Sequence, residues 1–280
     1  MKYGINLYLW ADDMHDGLMP VLEKLKKIGY DGVEVPIFDL DLAKWKLWSK
    51  RLDDLGLERT ANTVIAPEHN PLSDDPAIRA AALEHLKAVI DCCATVGSSI
   101  LCGPHQVALG VFTGKGATAD EWKRSVEHLR RAAEYAAGAG VVLAEEVVNR
   151  FELYHLNTLD QGISLVDEVG HPNCRLHLDT FHAHIEEKNT ADAVRRAGSR
   201  IAHVHVSEND RGVPGTGSVA WDSTFGALRD VGYDGWLTVE AFGNFLPNLA
   251  AATKIWRPLF ASEEQLAKDA HTFLTAKTRR

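Results

Sequence analysis

Short apolar segments alternate with longer segments of helical spacing from one end of the chain to the other. The apolar segments predict eight strands, over residues 4–10, 32–36, 59–65, 99–102, 141–146, 175–179, 201–206 and 235–240. Apolar residues three and four apart predict helices between them, over residues 17–28, 40–55, 76–96, 119–137, 158–169, 190–197 and 221–231. Strands that alternate with helices in this way are typical of a parallel sheet, because each crossover helix returns the chain to the same edge.

Glycines mark the ends of many of these helices. A glycine directly follows five of the predicted helices and precedes the next strand: Gly29, Gly56, Gly97, Gly170 and Gly232. Glycine at this position is the usual C-terminal stop, because it adopts a left-handed backbone without a steric penalty. These glycine stops therefore support a series of eight successive strand–helix units.

Eight such units in 280 residues predict a single (β/α)8 TIM barrel over residues 1–280, since this fold takes roughly 250 residues. No linker or low-complexity segment interrupts the chain. A doubly wound sheet is the alternative, and it would carry a glycine-rich loop after the first strand. The sequence has Trp10, Ala11, Asp12 and Asp13 there, which favours the barrel.

Charge and composition limit the partners and the cellular compartment that we expect for this protein. The net charge is −9, and the one clear basic pair is Arg279–Arg280, so nucleic acid is not an expected partner. No apolar run approaches the roughly 18 residues of a membrane span. The N-terminus does not resemble a signal peptide, and none of the four cysteines forms a CxxC pair. These features predict a cytoplasmic protein without a membrane partner.

Ionisable side chains stand where consecutive predicted strands end. The fifth strand ends in Glu145 and Glu146, the sixth in Asp179, and the eighth in Glu240, while the seventh carries His205. In a TIM barrel the C-terminal ends of the strands surround the active site. One such carboxylate alone is often a helix cap, but several carboxylates on one rim repel each other unless a cation lies among them. An oxygen-rich set with one imidazole suits Mn²⁺, Mg²⁺ or Co²⁺.

Strand alternation leaves one choice open. His203 and His205 are two residues apart and share a face, and His205 is the better ligand because it lies nearer the end of the strand. Glu145 and Glu146 point in opposite directions, and periodicity does not decide which of them faces the barrel interior. His105, which follows the fourth strand, is a further candidate for the substrate site.

Several segments resemble the ketose 3-epimerases of the D-tagatose/D-allulose group, which are xylose-isomerase-like barrels. The similarity is close over residues 140–260 and is carried by Glu146–Glu152 (EVVNRFE), Leu178–His182 (LDTFH), His203–His205, Glu208–Arg211 and Pro214–Gly217. The resemblance implies that Glu146, rather than Glu145, is the ligand. By the same resemblance, Glu146, Asp179, His205 and Glu240 hold the metal, and Glu152, His182 and Arg211 contact the sugar. The segment 103–116 departs from the family pattern.

The resemblance further implies C3 epimerisation of a free ketose through an enediolate, with Mn²⁺ as the preferred cation and Mg²⁺ or Co²⁺ as alternatives. Glu146 and Glu240 are then the acid and base on opposite faces of C3. A homodimer or homotetramer is expected. An aldose–ketose isomerase and an inosose-type dehydratase are alternatives on the same scaffold. An abasic-site endonuclease is disfavoured by the acidic charge, and a non-catalytic sugar-binding barrel by the presence of both glutamates.

Overall fold

The computed structural model describes residues 1–278, so the basic pair Arg279–Arg280 lies outside the described residues. Eight parallel strands form the sheet: β1 (Lys2–Ile5), β2 (Gly32–Pro36), β3 (Glu58–Asn62), β4 (Ile100–Gly103), β5 (Val142–Glu146), β6 (Cys174–Asp179), β7 (Ile201–Val206) and β8 (Trp236–Val239). Ten α-helices accompany them in the described chain: α1 (Met19–Ile28), α2 (Leu42–Leu55), α3 (Pro76–Val96), α4 (Ala119–Gly138), α5 (Leu159–Val169), α6 (Thr180–Glu186), α7 (Thr190–Ala197), α8 (Trp221–Asp230), α9 (Pro247–Thr253) and α10 (Glu263–Thr278).

The strand order β1-β8-β7-β6-β5-β4-β3-β2 confirms the predicted (β/α)8 barrel. The two ends of this order, β1 and β2, meet through one parallel bridge between Asn6 and Glu34. The side chains of the same two residues are also joined, since Nδ2 of Asn6 donates to Oε1 of Glu34 at 2.8 Å. This pair is therefore the seam at which the barrel closes.

The first strand is shorter than its apolar pattern predicts. It ends at Ile5 instead of continuing to Trp10, and a 3-10 turn over Leu7–Leu9 follows it. The turn forms because Oδ1 of Asn6 accepts a hydrogen bond from the backbone N–H of Tyr8 at 2.8 Å. The prediction was wrong here because an asparagine cap competes with strand pairing, whatever the hydrophobicity of the residues after it.

The barrel interior is polar where the site forms. Side chains from β2, β3, β4 and β7 meet there around Glu34, and all are buried: Thr60, Cys102, His203 and His205. The apolar core instead lies mainly between the strands and the surrounding helices, where Trp45 and Trp48 of α2 are among the largest buried side chains. Within residues 1–278, no helix combines the length and apolar character needed to cross a membrane.

Candidate active site

Four predicted ligands come together at the C-terminal rim of the barrel. Asp179 and His205 are partners in the β6–β7 register, so their side chains lie side by side. Glu146 ends β5, and Glu240 directly follows β8. Ligand atoms of Asp179, His205 and Glu240 all lie within 4.8 Å of one another, and those of Glu146, Asp179 and His182 form a second such group. Because Asp179 belongs to both groups, the donors surround one location.

The two carboxylate oxygens of Asp179 have different roles: one caps helix α6, and the other faces the site. Its Oδ1 caps α6, accepting from the backbone N–H groups of Phe181 at 2.6 Å and His182 at 3.2 Å. Its Oδ2 faces the other way, 3.6 Å from Nδ1 of His205. An aspartate cap fixes a carboxylate rigidly, since it satisfies N–H groups that the first helical turn leaves without partners. The cap therefore positions the oxygen that faces the site.

His205 presents one ring nitrogen to the site and the other to the barrel interior. Its Nε2 lies 2.7 Å from Oε1 of Glu34. Its Nδ1 is buried and makes no hydrogen bond to any described residue, although Oε1 of Glu240 lies 3.3 Å away. A buried nitrogen between two carboxylates, with no hydrogen-bond partner of its own, is the arrangement that a cation completes. The donor set of three carboxylates and one imidazole thus fits a divalent metal ion.

The charges at this location are unevenly balanced. Burial, with the negative charge of Glu240 second, raises the pKa of Glu146 well above its usual value. Burial also opposes ionisation of Asp179, but the positive charge of the neighbouring Arg211 holds the pKa of Asp179 well below the usual range. One carboxylate is therefore compensated within the protein and the other is not. A bound cation would lower the cost of ionising Glu146.

Arg211 supplies the positive charge on the opposite side of the carboxylates. Its guanidinium donates to Oδ2 of Asp179 at 2.9 Å and also to Glu240, and it stacks on the ring of Phe181 at 3.9 Å. The backbone of Arg211 has a left-handed φ of 65°, which costs energy in a residue other than glycine. The guanidinium is therefore held in place by its contacts and is itself buried.

His182 is oriented by Asn149. The backbone and side-chain N–H groups of Asn149 lie 3.2 and 2.8 Å from Nδ1 of His182, so this nitrogen accepts and the ring proton is on Nε2. Burial lowers the pKa of His182 to about 4, which keeps the ring neutral at pH 7. Nε2 lies 3.1 Å from Nη2 of Arg211. The two nitrogens are close enough for both to contact one oxygen of a bound molecule.

A cavity of about 280 Å³ opens above these residues. The predicted acids Glu146 and Glu240 line it, as do the predicted substrate contacts Glu152, His182 and Arg211. Its remaining walls are largely apolar and include Tyr8, Phe38, Pro104, Leu109, Phe242 and Leu249. The five predicted polar residues thus line one cavity, close to the candidate metal ligands Asp179 and His205.

The two neighbouring glutamates of β5 face opposite ways. Glu146 reaches the cavity, whereas Glu145 is fully buried and pairs with His105, whose Nδ1 lies 2.8 Å from its Oε1. The structure therefore places His105 away from the cavity for which the sequence predicted it. The buried carboxylate beside it explains this position, because Glu145 needs a partner that can share a proton.

Glu34 is a site residue that the sequence analysis missed. It lies in the middle of β2, is fully buried, and contacts both His203 and His205. Although burial opposes its ionisation, these two histidines hold the pKa of Glu34 well below its usual value. A single glutamate within the apolar strand Gly32–Pro36 is a signal that could have identified it, since such a charge is costly without partners.

Comparisons with known proteins agree with this architecture. Residues 22–276 match the family of xylose isomerase-like TIM barrels. The chain is 35% identical to the L-ribulose 3-epimerase of Methylomonas sp. strain DH-1, over 98% of this chain and 96% of that protein. It is 34% identical to the D-psicose 3-epimerase of Enterocloster bolteae, over 96% of this chain and 92% of that protein.

A crystal structure of D-allulose 3-epimerase from Methylomonas sp. in complex with D-allulose superimposes with a TM-score of 0.93 at 35% identity. That match covers 99% of this chain and 97% of the other. The chain belongs to the ketose 3-epimerase family. Members of this family differ in the sugar for which they are named, so membership establishes a carbohydrate epimerase and leaves the ketose open.

Proposed function

We propose that the protein reversibly epimerises C3 of a free ketose, with Glu146 and Glu240 as the two proton-transfer groups. The observation that carries the proposal is that both carboxylates line one cavity beside Asp179 and His205. Removing a proton from one face of C3 and returning one from the other inverts that carbon. A pair of acids with access to both faces therefore performs the reaction in either direction.

The residues that would hold the metal are Glu146, Asp179, His205 and Glu240. A divalent cation bound there, preferably Mn²⁺ with Mg²⁺ or Co²⁺ as alternatives, would act as a Lewis acid that makes the hydrogen at C3 more acidic. The protein's own groups support the same change. His182 and Arg211 offer two donors 3.1 Å apart to a sugar oxygen that becomes negatively charged in the enediolate.

Glu152, the third predicted substrate contact, is assigned to orientation of the substrate. Glu152 lines the cavity, and its Oε1 accepts a hydrogen bond from Nδ2 of Asn149 at 2.8 Å, so the same asparagine positions Glu152 and His182. We assign Glu152 to the C1 end of the ketose. A neutral sugar fits this site better than a phosphorylated one, because the carboxylates of Glu146, Glu152, Glu240 and Asp179 outweigh the combined charge of Arg211 and the proposed divalent cation.

The test is incubation of a panel of free ketoses with the Mn²⁺-loaded protein in D₂O. Deuterium at C3 of an epimerised ketose is expected. Deuterium confined to C1, with an aldose as product, would assign the protein to the isomerases, and an unsaturated product absorbing in the ultraviolet would assign it to the dehydratases. Treatment with a chelator should abolish turnover, and added Mn²⁺ should restore it.

Adjacent glutamates provide a matched pair of variants for this assay. Glu146→Gln should abolish exchange at C3, whereas Glu145→Gln changes a neighbouring carboxylate that faces away from the cavity and should retain exchange. Glu240→Gln should also abolish turnover. Full activity in Glu240→Gln would remove that residue from the mechanism.

A further inference from the structure

Glu34 lies at the centre of a buried network beneath the candidate metal ligands. Its Oε1 accepts from Nδ2 of Asn6 at 2.8 Å, and its Oε2 accepts from Oγ1 of Thr60 at 2.9 Å and from Sγ of Cys102 at 3.1 Å. Nε2 of His203 lies 2.8 Å from Oε2. An ionised carboxylate accepts about four hydrogen bonds, so the donors on Asn6, Thr60 and Cys102 offset much of the cost of burying Glu34 and leave room for one more.

One further partner of Glu34 connects this network to the site. Nε2 of His205 lies 2.7 Å from Oε1 of Glu34, across the interior of the barrel. A neutral imidazole has one N–H and one lone pair. If Nε2 carries the hydrogen and donates it to Glu34, the lone pair is on Nδ1, which is the nitrogen that faces Asp179 and Glu240.

We propose that Glu34 is a positioning residue for the metal site: by accepting from Nε2 of His205, it directs the Nδ1 lone pair toward the cation. This inference rests on the cation site of the proposed function. Carboxylates that orient a ligating histidine from behind typically contribute 10- to 100-fold to metal affinity. Glu34 therefore acts on the cation through His205 and does not touch the substrate.

A purely structural role for Glu34 has to be distinguished from this one, because Glu34 also closes the barrel through Asn6. A structural role would affect stability whether or not metal binds. A positioning role would affect the dissociation constant for the metal in protein that remains folded. The two roles are separated by measuring metal binding directly, without reference to turnover.

The experiment is isothermal titration of chelator-treated protein with Mn²⁺ alone, comparing wild type, Glu34→Gln and Thr60→Val. Glu34→Gln should weaken Mn²⁺ binding by about 10- to 100-fold. Thr60→Val removes a different donor from the same carboxylate and leaves the imidazole contact in place. Its dissociation constant should stay within about threefold of wild type, because one neutral hydrogen bond contributes little.

Each outcome has a separate meaning. Wild-type affinity in Glu34→Gln overturns the positioning role but leaves the cation site intact. An equal loss in Thr60→Val also overturns it, since any weakening of the network would then suffice. A wild-type protein that does not bind Mn²⁺ refutes the cation site of the proposed function and this inference with it.

A second measurement requires no variant and therefore does not depend on Glu34→Gln folding. In ¹⁵N-labelled wild type loaded with diamagnetic Mg²⁺, the His205 proton should be on Nε2 and should exchange slowly with solvent. A proton found on Nδ1 instead would overturn the proposal, because the nitrogen facing the site would then have no lone pair for the cation.

Discussion

Nδ1 of His105 lies 2.8 Å from Oε1 of Glu145, and both side chains are completely buried. The pair joins the segment after β4 to the outer face of β5, one residue before Glu146. The next residue, Gln106, donates through Nε2 to the backbone oxygen of Glu146 at 3.2 Å. Pro104 and Leu109, on either side of this anchor, line the cavity. The His105–Glu145 pair thus anchors the segment that forms this wall of the cavity.

Removing one partner of this pair should destabilise the protein. Glu145→Leu leaves His105 buried without its side-chain partner, and the loss should be about 3–5 kcal/mol in the free energy of unfolding, measured by urea denaturation. The double variant His105→Leu/Glu145→Leu should recover most of that loss, because neither polar group then remains. A His105→Leu variant with normal stability and weakened ketose binding would instead support the substrate contact predicted from sequence.

Arg211→Lys should reduce kcat/KM by at least about 30-fold, because lysine cannot reproduce a planar donor that bridges two carboxylates and stacks on Phe181. Arg150→Lys is the matched control. Arg150 forms a two-pronged pair with Glu186, but its side chain is 60% exposed, so the same substitution should leave kcat/KM nearly unchanged. Steady-state kinetics on one ketose measures both; equal effects in the two variants would contradict the assignment.

His155 should make the protein sensitive to acid. It is buried, stacks on Trp122 at 5.5 Å, and burial lowers its pKa from 6.5 to about 4, against a small opposing effect of Glu121. The unfolded chain therefore takes up a proton near pH 6.5, and the folded chain does so only near pH 4. This contribution to stability is complete above about pH 6.5 and falls as the pH drops toward 4, by up to about 1.4 kcal/mol per pH unit.

His155→Phe is the test of that contribution. The variant keeps an aromatic ring against Trp122 but has no group to protonate. Urea denaturation at several pH values between 7 and 4 should show a shallower loss of stability in the variant than in wild type. Parallel curves would mean that His155 does not take up a proton on unfolding in this range.

Gly103→Ala should distort the cavity wall. Gly103 ends β4 with a φ of 134°, and an added Cβ would lie 2.0 Å from the backbone oxygen of Thr63. Both the conformation and the contact forbid a side chain, so we expect a loss of several kcal/mol and a higher KM for the ketose.

Gly110→Ala is the control for this effect. Gly110 also has a positive φ, of 75°, but an added Cβ would meet no heavy atom within 4 Å. Its cost should be limited to about 1 kcal/mol of backbone strain. Thermal unfolding and the KM for the ketose should be measured for both variants. Similar losses of stability in both would show that backbone strain, and not the contact with Thr63, determines the cost of the added side chain.

The sequence predicted the barrel and the residues at its rim because both depend on local patterns. Strand length, helix spacing and glycine stops are read over a few residues, and the carboxylates stand where strands end. Glu34 was missed because its contacts are distant in sequence. Glu34 and His205 are 171 residues apart, and only closure of the barrel brings them together. His105 was predicted at the cavity because it follows the fourth strand, and its contact with Glu145, 40 residues away in sequence, could not be read from the sequence.

Helix α6 was missed for a different, local reason. The sequence Thr180–Glu186 has no long apolar period, so no helix was predicted there, yet Asp179 caps it through two backbone N–H groups. The residue that was identified for its chemistry also starts a helix. Its second role became visible only when the directions of its two oxygens were known.

Glu34 contacts both Asn6, where β1 meets β2, and the candidate metal ligand His205. One side chain therefore closes the sheet and supports the metal ligand. A chain that has formed all eight strands but has not joined the first to the second would lack this support. Loading with metal would then favour the closed cylinder over the open sheet, and hydrogen exchange at Asn6 and Glu34 should slow when the cation binds.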